Sequence, residues 1–160
     1  MSKQQQNKHF PRKMLLLSFT SLALIYSIML IGVYITSSHQ GLSCPDWPLC
    51  PNGLGIPNPH YLFEHIHRML VIITSGFIVT TAIYAYINAR SVSTTAILAA
   101  VIVIIQIFLG MIMVYSKLHA LLVATHLATG ILLFAMLLLT FIASYRERKN
   151  SLVKSDIQKI

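Results

Sequence analysis

Residues 61–87 read YLFEHIHRMLVIITSGFIVTTAIYAYI, an apolar run of membrane length that carries Glu64, His65, His67 and Arg68 near one end. A hydrocarbon core takes roughly 20 residues of helix. Ionisable side chains at that depth are costly and face a bundle interior, where they hold ligands or protons. A second run of the same character contains Leu121-Leu122-Val123-Ala124-Thr125-His126-Leu127. His67 lies six residues after Tyr61 and His126 seven after His119. At about 1.5 Å per residue, both sit roughly 10 Å inside the same end of their helices. Matched depth in two separate spans points to one metal or heme site between two helices. On that reading the chain is all-α, a polytopic membrane four-helix bundle.

Composition agrees. The 160 residues are 56% hydrophobic and 10% charged, where a soluble domain carries about 25% charged residues. Four spans are expected, at Met14–Thr36, Tyr61–Ile87, Thr94–Ser116 and His119–Ser144. The first is expected to remain as an anchor, because its apolar run exceeds the roughly 7–15 residues of a cleavable signal. Residues 14–144 then form one membrane domain with an outer loop at 37–60. A basic N-terminal segment, 1–13, precedes it, and a basic tail, 145–160, expected to fray, follows it.

Lys3, Lys8, Arg12, Lys13, Arg90, Arg146, Arg148, Lys149, Lys154 and Lys159 fall on one side of this arrangement. Lys117 falls on the other, and Arg68 lies near the boundary. Positive residues stay in the cytoplasm, so both termini are expected there. The histidine pair then lies near the extracytoplasmic side of a multi-pass cell-membrane protein. The net charge of +8 becomes a topology and lipid-headgroup signal. Nucleic acid is a poor partner, because the basic residues flank spans instead of forming one interleaved patch.

The outer loop contains the only two cysteines, in Cys44-Pro45-Asp46-Trp47-Pro48-Leu49-Cys50. Thiols oxidise outside the cytoplasm, and five intervening residues with two prolines can turn back on themselves. A Cys44–Cys50 disulfide is preferred over free thiols or metal ligands, given the compartment and the even count. Trp47 reads either as an interfacial anchor or as part of a lid over whatever binds beneath the loop.

Two histidines narrow the choice of ligand. Zinc asks for about four nitrogen or sulfur ligands, and no cysteine or third deep histidine is available. A di-iron carboxylate site needs several inward glutamates, and only Glu64 is near. Heme brings its own equatorial nitrogens and asks the protein for one or two axial ligands, so heme iron between His67 and His126 is the economical reading. The bland alternative is that the histidines bond neighbouring helices. Glu64, three residues before His67, shares its face, and Arg68 can pair with Glu64, snorkel to lipid phosphate or meet a heme propionate. His65 points about 200° away from His67, and it, His39, His60 and His119 are lesser candidates. Leu30-Ile31-Gly32 resembles Phe108-Leu109-Gly110, each ahead of a histidine-bearing span. The small residues at 32 and 110 allow close helix approach or leave room for a porphyrin face. Thr74, Ser75, Gly76, Thr125 and Thr129 are expected to line the interior.

The cluster Glu64-His65-Ile66-His67-Arg68 matches the E-x-x-H-R signature of the heme A synthase family, membrane proteins of cytochrome oxidase assembly. Gly41 to Cys50 resembles that family's cysteine-bearing first outer loop. Gln106-Ile107-Phe108-Leu109-Gly110 and Thr125-His126-Leu127 resemble its third and fourth helices, so the likeness runs from about residue 14 to residue 144. The resemblance implies oxidation of the heme O methyl group to the formyl group of heme A. It makes Glu64 the catalytic carboxylate and His67 and His126 the axial ligands, with heme O as substrate and a b-type heme as a further cofactor. It also implies heme O synthase or oxidase assembly factors as partners.

Typical members resemble two such four-helix halves in tandem, whereas this chain has one histidine pair. A homo-oligomer, a compact one-heme enzyme and a protein that only binds heme each accommodate that. The main rival is a bis-histidine b-type membrane cytochrome or heme carrier without catalysis, because six-coordinate iron favours electron transfer. A proton-relay transporter using Glu64 and His67 is a third reading.

Overall fold

A computed structural model describes residues 10–51 and 53–158. Lys3, Lys8 and Lys159 lie outside the described residues. Four α-helices make up the fold: α1 Arg12–Ser37, α2 Leu62–Asn88, α3 Ser93–Tyr115 and α4 Ala120–Ile157. Each is long and apolar enough to cross a membrane. No strand occurs among the described residues. The expected spans agree with these helices within two residues at every boundary but one.

The exception is the end of α4. The tail expected to fray after Tyr145 continues as helix to Ile157. No glycine or proline interrupts residues 131–157, and Arg146, Glu147, Arg148 and Lys149 are good helix formers. The extension is also tied down, because the Phe10 backbone N–H donates to Ser151 Oγ at 3.1 Å.

The helices stand in a ring in which α1 meets α2, α2 meets α3, α3 meets α4 and α4 returns to α1. The two diagonals, α1 with α3 and α2 with α4, make no such contact. Apolar packing is uneven along the bundle. One cluster joins Met14, Ala82, Ala85, Ala89, Val92 and Ala96 at the end that holds the termini. A second joins Ile25, Ile78, Ala99, Val103, Leu133 and Leu137 at mid-depth. Alanines at these contacts let backbones approach closely, which is how helices associate where lipid is as apolar as leucine. Toward the other end the packing thins: buried positions on α3 stop at Val103, and on α4 they begin only at Gly130.

A repeat is built into this ring. Counting back 7, 11, 14 and 18 residues from Gly32 gives Ile25, Ser21, Ser18 and Met14, all buried. The same steps from Gly110 give Val103, Ala99, Ala96 and Val92, again all buried. Both odd helices also end alike. The Gln40 N–H reaches Ile35 O and the His39 N–H reaches Thr36 O, around a left-handed His39 at φ 58. Leu118 N–H to Met113 O and Lys117 N–H to Val114 O repeat this around Lys117 at φ 53. This is the Schellman close, built here without the usual glycine.

Candidate histidine site

His67 and His126 occupy the diagonal helices α2 and α4. They lie five and six residues inside those helices, roughly 8–9 Å from the helix starts. Helical phase turns both inward. Adding 7, 11, 14 and 18 to His67 gives Thr74, Ile78, Thr81 and Ala85, every one buried. The same steps from His126 give Leu133, Leu137, Thr140 and Ser144, also buried. Each imidazole therefore stands at the top of a core-facing row, at the level where apolar packing has ended.

Each ring also faces a glycine on the preceding helix. A Cβ on Gly32 would lie 3.3 Å from His67 Cε1, and one on Gly110 would lie 3.6 Å from His126 Cε1. The short echo in the sequence is thus a structural repeat: glycine against histidine, twice. The Nδ1 atoms of both rings are buried without a hydrogen-bond partner among the described residues.

Around His67 the outer loop folds onto α2. Glu64 Oε2 accepts from Ser43 Oγ at 2.8 Å and from the Cys44 backbone N–H at 2.9 Å. Its other oxygen, Oε1, lies 2.5 Å from Arg68 Nη2. Arg68 also donates to the carbonyls of Asp46, Pro48 and Cys44. The Cys44–Cys50 disulfide is present, with Cα atoms 5.1 Å apart. Glu64 and Arg68 are both buried. A buried ion pair needs its remaining donors and acceptors satisfied, and the loop backbone does this. Arg68 is thus paired with Glu64, the first of the roles open to it.

Two of the residues expected to line the interior sit elsewhere. Gly76 and Thr125 are exposed, because they lie about 180° and 100° in helical phase from the histidines they accompany. Thr74 is buried, and Ser75 and Thr129 are half-buried. His39, His60 and His119 are exposed. His65 does point away from His67, yet it is buried and its Nδ1 lacks a partner. Phase predicted its direction but not its burial, because it lies on the one turn of α2 that the loop packs against.

Gln106 is the contributor that sequence reasoning passed over. Its Nε2 donates to the His126 carbonyl at 3.0 Å, and its Oε1 accepts from Thr129 Oγ1 at 2.6 Å. A polar amide in the most apolar of the four spans was the available signal.

Among the described residues, no group of three or more His, Cys, Asp and Glu side chains gathers around one point. The donor set is two imidazoles on opposite walls of a bundle, each with a side-chain-free surface behind it. That set fits a heme, which needs only axial donors and flat space.

The fold and this site define a class: polytopic four-helix membrane proteins with a diagonal histidine pair. A model of the cytochrome oxidase assembly protein family matches residues 54–159. A heme A synthase of Lysinibacillus sphaericus (strain C3-41) is 30% identical over 138 residues, covering 81% of this chain and 45% of that protein. One of Listeria welshimeri is 34% identical over 116 residues, covering 68% and 38%. One of Shewanella oneidensis is 28% identical over 151 residues, covering 81% and 44%. The chain belongs to this heme A synthase family of cytochrome oxidase assembly proteins. It spans less than half the length of these curated relatives.

Proposed function

We propose that the chain binds heme between His67 and His126 and oxidises the heme O methyl group to the formyl group of heme A, for cytochrome oxidase assembly. The observation that carries this reading is the diagonal pair of inward imidazoles, each backed by a glycine, with a buried carboxylate one turn from His67. When bound, heme supplies the iron and the methyl-bearing edge at which oxidation occurs. His67 and His126 hold it from two sides. Gly32 and Gly110 leave the space that lets each ring settle against its neighbouring helix.

Glu64 is the proposed catalytic carboxylate. As an anion it is acceptor-only, and its two oxygens already take three donors. It can accept a proton once one donor yields, and the Ser43 hydroxyl, which rotates freely, is the easiest to turn aside. Arg68 holds Glu64 in place through charge, and the disulfide-closed loop keeps water from the carboxylate.

The basic residues of α1, α4 and the 90–92 turn gather at one end of the bundle, which supports cytoplasmic termini and a site near the extracytoplasmic face. A homo-oligomer is proposed as well, to supply further heme sites, with heme O synthase and oxidase assembly factors as partners.

The test is to express the chain with a heme O source and analyse extracted hemes by chromatography and mass. Heme A or its hydroxylated precursor is the expected product. Recovery of unmodified heme alone would sink the catalytic proposal and leave a b-type cytochrome or carrier.

A further inference from the structure

We infer that Gln106 is a positioning residue for His126, fixing the angle at which that imidazole meets its ligand. The inference rests on the proposed ligation by His126. Gln106 reaches from α3 to the backbone of the histidine itself: its Nε2 donates to the His126 carbonyl at 3.0 Å. Its other end is held as well, because Oε1 accepts from Thr129 Oγ1 at 2.6 Å. The amide is thus met at both atoms, its oxygen sharing the Thr129 hydroxyl with the carbonyls of Thr125 and His126.

Gly130 is the third part of this latch. A Cβ there would come within 2.9 Å of Gln106 Nε2, so the end of the amide would have to shift from the place it holds. Gly130 is buried although it sits in mid-helix, where glycine is less favourable than alanine. The close approach of the amide explains why a side chain is absent at this point. In hydrocarbon an amide left without partners is expensive, so the latch has one favoured arrangement. His126 Cε1 lies against Gly110, one turn along α3 from Gln106. Fixing the His126 backbone to Gln106 therefore fixes which way the ring faces on that same helix.

The first hairpin has no such device. The position four residues before Gly32 is Ile28, where Gln106 stands four before Gly110. On the His67 side the bonded polar groups are Glu64, Arg68 and the loop. The two proposed ligands thus differ in their polar surroundings, and only His126 depends on an interhelical amide.

The experiment uses the full chain purified with heme, comparing wild type with Gln106→Met, Gly130→Ala and the double variant. His126→Ala serves as the reference for the ligation itself. Ferric low-spin electron paramagnetic resonance reads the relative orientation of two axial imidazole planes, and dilution reads heme retention. Gln106→Met and Gly130→Ala are expected to shift the g-values in the same direction. Each is expected to weaken heme retention by about tenfold, as loss of a group that orients a metal ligand does. The double variant is expected to add nothing to Gln106→Met, since with the amide gone a Cβ at position 130 has nothing to displace. Thr129→Val removes only the hydroxyl and gives a smaller shift of the same sign, should Gln106→Met fail to insert. Wild-type g-values and retention in Gln106→Met and Gly130→Ala, with the signal lost in His126→Ala, would overturn the positioning role alone. A wild-type protein without low-spin heme, or a His126→Ala variant with an unchanged spectrum, overturns the parent ligation reading and this inference with it.

Discussion

The first hairpin, α1 with α2, and the second, α3 with α4, are built on one plan and finished differently. Both place a glycine against the histidine of the following helix. Both close the first helix with a left-handed residue seven positions after that glycine. Each also joins its two helices by a hydroxyl pair, Ser21 with Thr81 at 3.0 Å and Thr95 with Thr140 at 2.9 Å. The threonines at 81 and 140 stand fourteen residues after their histidines. What differs is the surroundings of each imidazole. Where the first hairpin has Glu64 and Arg68, the equivalent positions of the second are Val123 and Leu127. The disulfide loop of the first corresponds to a tight turn through Ser116 and His119 in the second. On the proposed reading both halves hold the ligand, and the reactive groups belong to one half only.

The strongest way to break this comparison is to remove each histidine in turn. His67→Ala and His126→Ala are each expected to abolish the low-spin heme spectrum, read by visible absorption. Loss from only one of them would show that the halves do not share a ligand. Next comes Glu64→Gln, which keeps the shape and removes the anion. Heme content should persist while conversion of heme O falls on the order of a hundredfold, the usual scale for general acid–base groups. Equal conversion in the variant would place the chemistry elsewhere.

A smaller effect is expected at the loop. Cys50→Ser removes a closed loop whose entropic worth is about 2 kcal/mol. Amide exchange at Ser43 and Cys44 should quicken, while Ala89 and Val92, bonded to Ala85 O and Ala89 O at the opposite end of the bundle, stay as protected as before. Acceleration at both would mean the two ends are not independent. The smallest effect separates the glycines. Gly32→Ala brings a Cβ to 3.3 Å of His67 and should shift the heme spectrum, whereas Gly110→Ala, at 3.6 Å from His126, should be close to silent. A reversed order would show that the second ring is the more tightly seated.

Much of this fold was open to view in the sequence. Twenty-residue apolar runs set the helices, and counting in 3.6-residue steps set which faces turn inward. The glycine–histidine echo was visible for the same reason, since both helices of each pair keep a constant phase. Other features depend on contacts between segments far apart in sequence. Whether Arg68 pairs with Glu64 or with a ligand turns on where the loop carbonyls of Cys44, Asp46 and Pro48 fall, and periodicity says nothing about that. Gln106 shows the same limit. A lone amide in an apolar span is conspicuous, but its partner lies twenty residues away on another helix. The continuation of α4 was missed because basic composition was read as fraying, although Arg146, Glu147, Arg148 and Lys149 favour helix and neither glycine nor proline interrupts the segment.

The placement of the apolar packing bears on how such a protein is made. Its two clusters sit at the terminal end and at mid-depth, so the four segments can close on one another before any porphyrin arrives. On the heme-binding reading proposed above, loading would amount to docking into a half already standing, with the polypeptide inserted and intact in the bilayer beforehand.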